Sequence, residues 1–154
     1  MIDHGITLKR HCQYSTRDMD SKSHAEAAPN ALNDASIQNL LDNALEQGIQ
    51  GLSNGHLEIA EEVFEAIIQM KPSHAHANHR MGLLKIDKGT ALEALPYLEN
   101  AIMADPSVLT FWVSLSETLI DLEQFEEATK IINLARETGV DGDEFTILEK
   151  KLDH

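Results

Sequence analysis

Cysteine is almost absent: Cys12 is the only one among 154 residues, which excludes an internal disulfide and fits a reducing compartment. Aromatic residues make up 5% of the chain, Val and Thr are sparse, and no hairpin dipeptide separates alternating apolar runs, so strands are not expected. No apolar run approaches the ~18 residues of a membrane span. The opening MIDHGITLKRHCQYS lacks the apolar core of a signal peptide. Neither membrane insertion nor export is therefore expected, and the expected location is the cytoplasm. Bases are scarce as well, 12 Lys and Arg against 26 Asp and Glu, for a formal charge of −14. Residues 1–36 hold five of the acids and four of the bases, so nearly all of the excess lies downstream. Such a surface repels phosphate backbones, and nucleic acid is not an expected partner. The acids either keep the chain soluble and monomeric or draw in a basic partner.

What the sequence does have is a period. Between Ala75 and Pro106, apolar and small residues recur at helical steps, first around Met81 and Gly82 and again at Leu95, Leu98, Ala101 and Ile102, with Gly89-Thr90 as the break. A shift of 34 residues finds the same landmarks. Gly48 matches Gly82, Gly55 matches Gly89, and Pro72 matches Pro106; Ala60, Ala94 and Ala128 align, as do Phe64, Leu98 and Ile132. A fixed period with helix-turn-helix content predicts an all-α repeat solenoid.

This pattern resembles the tetratricopeptide repeat family over roughly Leu41 to Val140, three repeats. Trp112, Leu115, Ser116 and Leu119 stand where the family carries Trp, Leu, a small residue and an aromatic or aliphatic one. The expected domain is 37–154, preceded by a tail, 1–36, too polar to offset its ordering entropy. Asp34 or Ser36 would cap the first helix, Ile37 to Ser53, and Leu57 to Met70 would follow, packing Leu57, Ala60, Phe64, Ile67 and Ile68. Ala44, Gly48 and Gly51 form a small-residue stripe that would let helices approach closely. Pro96 removes one backbone hydrogen bond from its helix and predicts a mild bend. The third repeat's second helix should pack Phe125, Ala128, Ile132 and Ala135, and a last helix, Asp143 to Leu152, reads as a cap, with Phe145, Leu148 and Leu152 facing the array.

No constellation for chemistry stands out, and no catalytic residue or cofactor is expected. Cys12 and His11 are adjacent only in sequence. Gly48 and Gly51, or Gly139 and Gly142, lack the strand-then-helix context of a phosphate loop. Glu61-Glu62 and Glu126-Glu127 read as solvated charges. His74, His76 and His79, with Asp42 in the matching place one repeat earlier, come nearest to a metal set, but no second fixed ligand pair joins them and a metal site is not expected. As groove-lining residues they would make binding sensitive to pH near 6.5.

The resemblance instead implies a partner-binding groove, lined from the first helix of each repeat. Carried over residue by residue, it comprises Asp42, Leu45, Ile49 and Leu52, then His76, His79, Arg80, Leu83 and Ile86, then Thr110, Val113, Glu117 and Ile120. Family members that grip a C-terminal carboxylate place Lys, Asn and Arg where this chain has Leu45, Ile49, Val113 and Glu117; only Arg80 could bind an anion, so chaperone-tail binding is disfavoured. An apolar groove suits an amphipathic helix or an extended apolar segment. Its occupant would be another protein, the chain's own N-terminal segment or a second copy. Two roles fit the resemblance. One is an interaction module of a larger bacterial system, like the arrays that precede glycosyltransferase, sulfotransferase or methyltransferase domains, with any catalytic domain missing or on a separate polypeptide. The other is a chaperone of type III secretion.

Overall fold

The computed structural model describes residues 34–153; the expected tail over 1–33 lies outside the described residues. The chain divides into two compact units, Met1–Leu41 and Asp42–His154. Helix α1 covers residues 34–53. It begins three residues before the expected start, so Asp34 and Ser36 both lie within the helix rather than capping it. Then follow α2 (Leu57–Met70), α3 (Ala75–Asp87), α4 (Ala91–Ala104), α5 (Leu109–Asp121), α6 (Phe125–Glu137) and α7 (Asp143–Leu152). The described residues thus form seven helices and no strand. The fold is the all-α solenoid that the 34-residue period predicts.

Each helix pair turns in the same way, because the chain uses one local device within every pair and again before the last helix. After α1, α3, α5 and α6, two amide N–H groups reach back to carbonyls of the last turn. The pairs are Gly55 to Leu52 and His56 to Gly51, Gly89 to Ile86 and Thr90 to Lys85, Glu123 to Ile120 and Gln124 to Leu119, and Gly139 to Arg136 and Val140 to Ala135, all at 2.8–3.0 Å. This closure needs a left-handed residue. Gly55, Gly89 and Gly139 supply it with φ of 81°, 83° and 93°, and Glu123 takes the same position at 62°.

Side-chain size sets the spacing within each pair. A Cβ added to Gly48 would stand 2.5 Å from the Phe64 ring, and one added to Gly82 would stand 2.6 Å from Leu98. These two contacts are one repeat apart, so the small-residue stripe does permit close approach. The core then runs through α4 to α7: Ala94, Leu98, Phe111, Trp112, Leu115, Ala128, Ile132, Phe145 and Leu148 are buried together. Leu57 and Phe125 do not join the packed layer as expected; they are 37% and 47% exposed. Both are the first residues of their helices, where the chain has only just entered the layer. Pro96 is accommodated inside α4 without ending it. It is itself exposed, and Leu92, whose carbonyl it leaves without an intrahelical donor, is 64% exposed, so water can satisfy that oxygen.

Polar anchors recur in register too. Trp112 Nε1 donates to the Pro106 carbonyl at 2.8 Å, and one repeat earlier Asn78 Nδ2 donates to the Pro72 carbonyl at 3.0 Å. The last helix is held by Arg136, which pairs with Glu149 and Asp141 and lies over the Phe145 ring. That pairing holds the Asp141 carboxyl below its usual range, the Arg136 hydrogen bond being the main cause. Glu61 of α2 accepts from Lys85 and Lys88, each at 2.6 Å.

Candidate partner-binding face

The residues expected to line a groove fall on α1, α3 and α5. In an α-helix, positions three and four apart share a face, so Leu83, Ile86 and Asp87 of α3 lie together, as do Glu117, Ile120 and Asp121 of α5. The apolar members Leu45, Ile49, Leu52, Leu83, Ile86, Val113 and Ile120 are all half-buried. Ile86, Val113 and Ile120 lean on the α4–α7 core. They are its shoulder, fixed from below and open above. Asp42, His76, Thr110 and Glu117 are exposed, and Arg80 is half-buried.

The histidines divide. His79 is only 6% exposed. Its Nε2 meets Ser114 Oγ at 2.8 Å, and its ring lies 4.8 Å from that of Phe111, tilted against it. Burial pushes its pKa down to about 4, with Arg80 and then His76 adding to the shift. Two expectations are corrected by this. His79 joins α3 to α5 instead of lining an open surface, and it does not titrate near 6.5. His74 is also buried and caps α3, its Nδ1 accepting from the Ala77 N–H at 3.1 Å. Only His76 keeps an exposed ring, with its edge on Phe111 at 5.3 Å. Among the described residues, no group of three or more His, Cys, Asp or Glu side chains converges as a metal site would require.

Glu117 meets a cation that the expected set omits: Lys151 of α7 stands 3.6 Å from its carboxylate. Lys151 follows Glu117 by 34 residues, as Glu117 follows Leu83 and Leu83 follows Ile49. Ile49, Leu83, Glu117 and Lys151 therefore occupy one register position, two apolar members followed by an ion pair. The same arithmetic relates Asp87 to Asp121, and extending the period to the face's charged positions would have found all three omitted residues.

The chain matches the tetratricopeptide repeat family over residues 85–152, a stretch that holds the turns at Gly89, Glu123 and Gly139 and the capping helix α7. Over that stretch the chain carries tetratricopeptide repeats. A curated relative of these repeats is cellulose synthase 1 operon protein C of Komagataeibacter xylinus, 30% identical over 109 residues, or 62% of this chain and 8% of the relative. The chain thus spans under a tenth of the length of the curated relatives it matches. Among solved structures, the TPR2B domain of yeast Sti1, in a complex with pHsp70, superposes with a TM-score of 0.65 at 17% identity, covering 73% of this chain and 95% of that one. The type III secretion translocator chaperone SycD of Yersinia enterocolitica gives 0.62 at 19%, covering 75% and 80%. At these identities the likeness is one of fold. Tetratricopeptide repeats form protein-interaction scaffolds and are typically non-catalytic. In the described residues, no helix is long and apolar enough to cross a membrane.

Proposed function

We propose that this chain is a non-catalytic scaffold that holds a protein segment, an amphipathic helix or an extended apolar stretch, against the face formed by α1, α3 and α5. One observation carries the reading: seven apolar side chains fall at register positions of the 34-residue period on these helices and stay half-exposed. Apolar surface left open at regular spacing is what a partner would cover. The relationship to an operon protein of cellulose synthesis favours work inside a larger bacterial assembly, and the single cysteine fits a reducing compartment. Fold likeness to SycD supports the second role, escort of a secreted client.

Leu83→Asp tests the face. The variant should keep the wild-type circular dichroism spectrum and lose the partner that wild-type protein retains from a lysate of its own organism. A variant that folds and still retains that partner would refute the face; one that unfolds would show that Leu83 belongs to the core.

A further inference from the structure

The scaffold reading leaves the chemistry of the partner open, and the ends of α3 and α5 narrow it. α3 ends on Asp87 and α5 on Asp121. Both carboxylates are exposed, and neither takes part in an ion pair among the described residues. Each stands at the negative end of a helix dipole, where carboxylates are disfavoured and Lys or Arg is the stabilising choice. The last turn of α5 has no base, and Lys85, the base in the last turn of α3, is already engaged by Glu61. Each acid also directly follows a half-buried apolar residue of the same face, Ile86 or Ile120. The opposite, N-terminal ends of the two helices carry His76 and Thr110 at the corresponding edge and no acid in the first turn. Lys88, directly after Asp87, is held with Lys85 on Glu61, and Arg80 lies toward the middle of α3, so the carboxylates free of ion pairs at these helix ends are those of Asp87 and Asp121, on one rim of an apolar strip.

We infer that the segment held on this face is cationic and amphipathic: apolar anchors cover Leu83, Ile86, Val113 and Ile120, and Lys or Arg on one flank reaches Asp87 and Asp121. Charge complementarity identifies this occupant, and the inference rests on the scaffold reading above. The two carboxylates trade helix stability for recognition of that flank.

The test uses the full chain and two synthetic amphipathic helical peptides with the same leucine stripe, one flanked on one side by lysines and the other by glutamates. Fluorescence anisotropy should show the lysine peptide binding and the glutamate peptide binding at least about tenfold more weakly, with the lysine peptide's affinity falling as salt rises. In Asp87→Asn/Asp121→Asn, affinity for the lysine peptide should drop about tenfold while the melting temperature rises, a combination that loss of fold cannot produce. Equal binding of both peptides, abolished by Leu83→Asp, would overturn the cationic partner and leave the face standing. Binding of the lysine peptide that survives Leu83→Asp would overturn both readings. If neither peptide binds, the inference fails; a wild-type dimer that Leu83→Asp converts to monomer would then assign the face to a second copy.

Discussion

Glu123 occupies a position that three glycines hold elsewhere in the chain, and the cost of that exception can be measured. Its φ of 62° places a side-chain-bearing residue in the left-handed region, at about 1–2 kcal/mol relative to glycine. Glycine returns part of this through the greater freedom of the unfolded chain, about 0.5–1 kcal/mol. Glu123→Gly should therefore stabilise the fold by about 0.5–1 kcal/mol. With a urea dependence of roughly 1–3 kcal/mol per molar, the midpoint should rise by about 0.5 M. The substitution also removes one acid from a strongly acidic chain, so Glu123→Ala is the control: it loses the same charge and keeps the strained Cβ. The reverse changes, Gly55→Ala and Gly89→Ala, should cost a similar amount, because a Cβ there meets nothing within 4 Å and only the backbone geometry resists it. Urea titrations followed by circular dichroism compare all four. A Glu123→Gly midpoint no higher than that of Glu123→Ala would refute the argument.

Other perturbations test the packing and the buried histidine. Trp112→Ala should cost ~3–5 kcal/mol, since the indole is 3% exposed and donates to Pro106; a wild-type melting curve would contradict its place in the core. Gly82→Ala should destabilise although alanine favours helix, because the new Cβ would lie 2.6 Å from Leu98 and force the helices apart; an unchanged or raised urea midpoint would show that the pair can yield. His79 binds its proton in the unfolded chain near 6.5 and in the fold only near 4. Stability should thus be fully present above pH 6.5 and fall by about 3 kcal/mol as pH drops to 4. His74, also pushed down by burial, adds to the same slope. His79→Leu should flatten the fall, and an unchanged slope in that variant would exonerate His79.

Much of the fold could be read before any coordinates. Glycine and proline punctuate the chain at fixed intervals, and the same backbone closure takes glycine at three of its four occurrences, so α2 and α7 span the expected residues. The start of α1 was displaced because its first turn is polar and offers no periodic signal. The candidate face divides along a similar line. Its membership on α1, α3 and α5 follows from local periodicity, but the fate of His79 depends on Phe111 and Ser114, more than thirty residues away. No pattern within α3 distinguishes a histidine that lines a surface from one that bridges two helices. Lys151, by contrast, was available to counting and needed only the period extended past the third repeat.

The direct contact between α3 and α5 sets a ruler for anything laid across them. Packed helices stand about 8–10 Å apart, and a segment crossing the rungs has to bring an anchor around at that pitch. An α-helix does so every seven residues, about 10.5 Å. A polyproline II segment does so every three, about 9 Å, with each third residue on the same side. A β-strand covers the same distance in three residues and arrives with its side chain facing away. Of the regular conformations, heptad-spaced helices and triplet-spaced polyproline segments can therefore be in step with the array, whereas a strand slips out of phase after one rung.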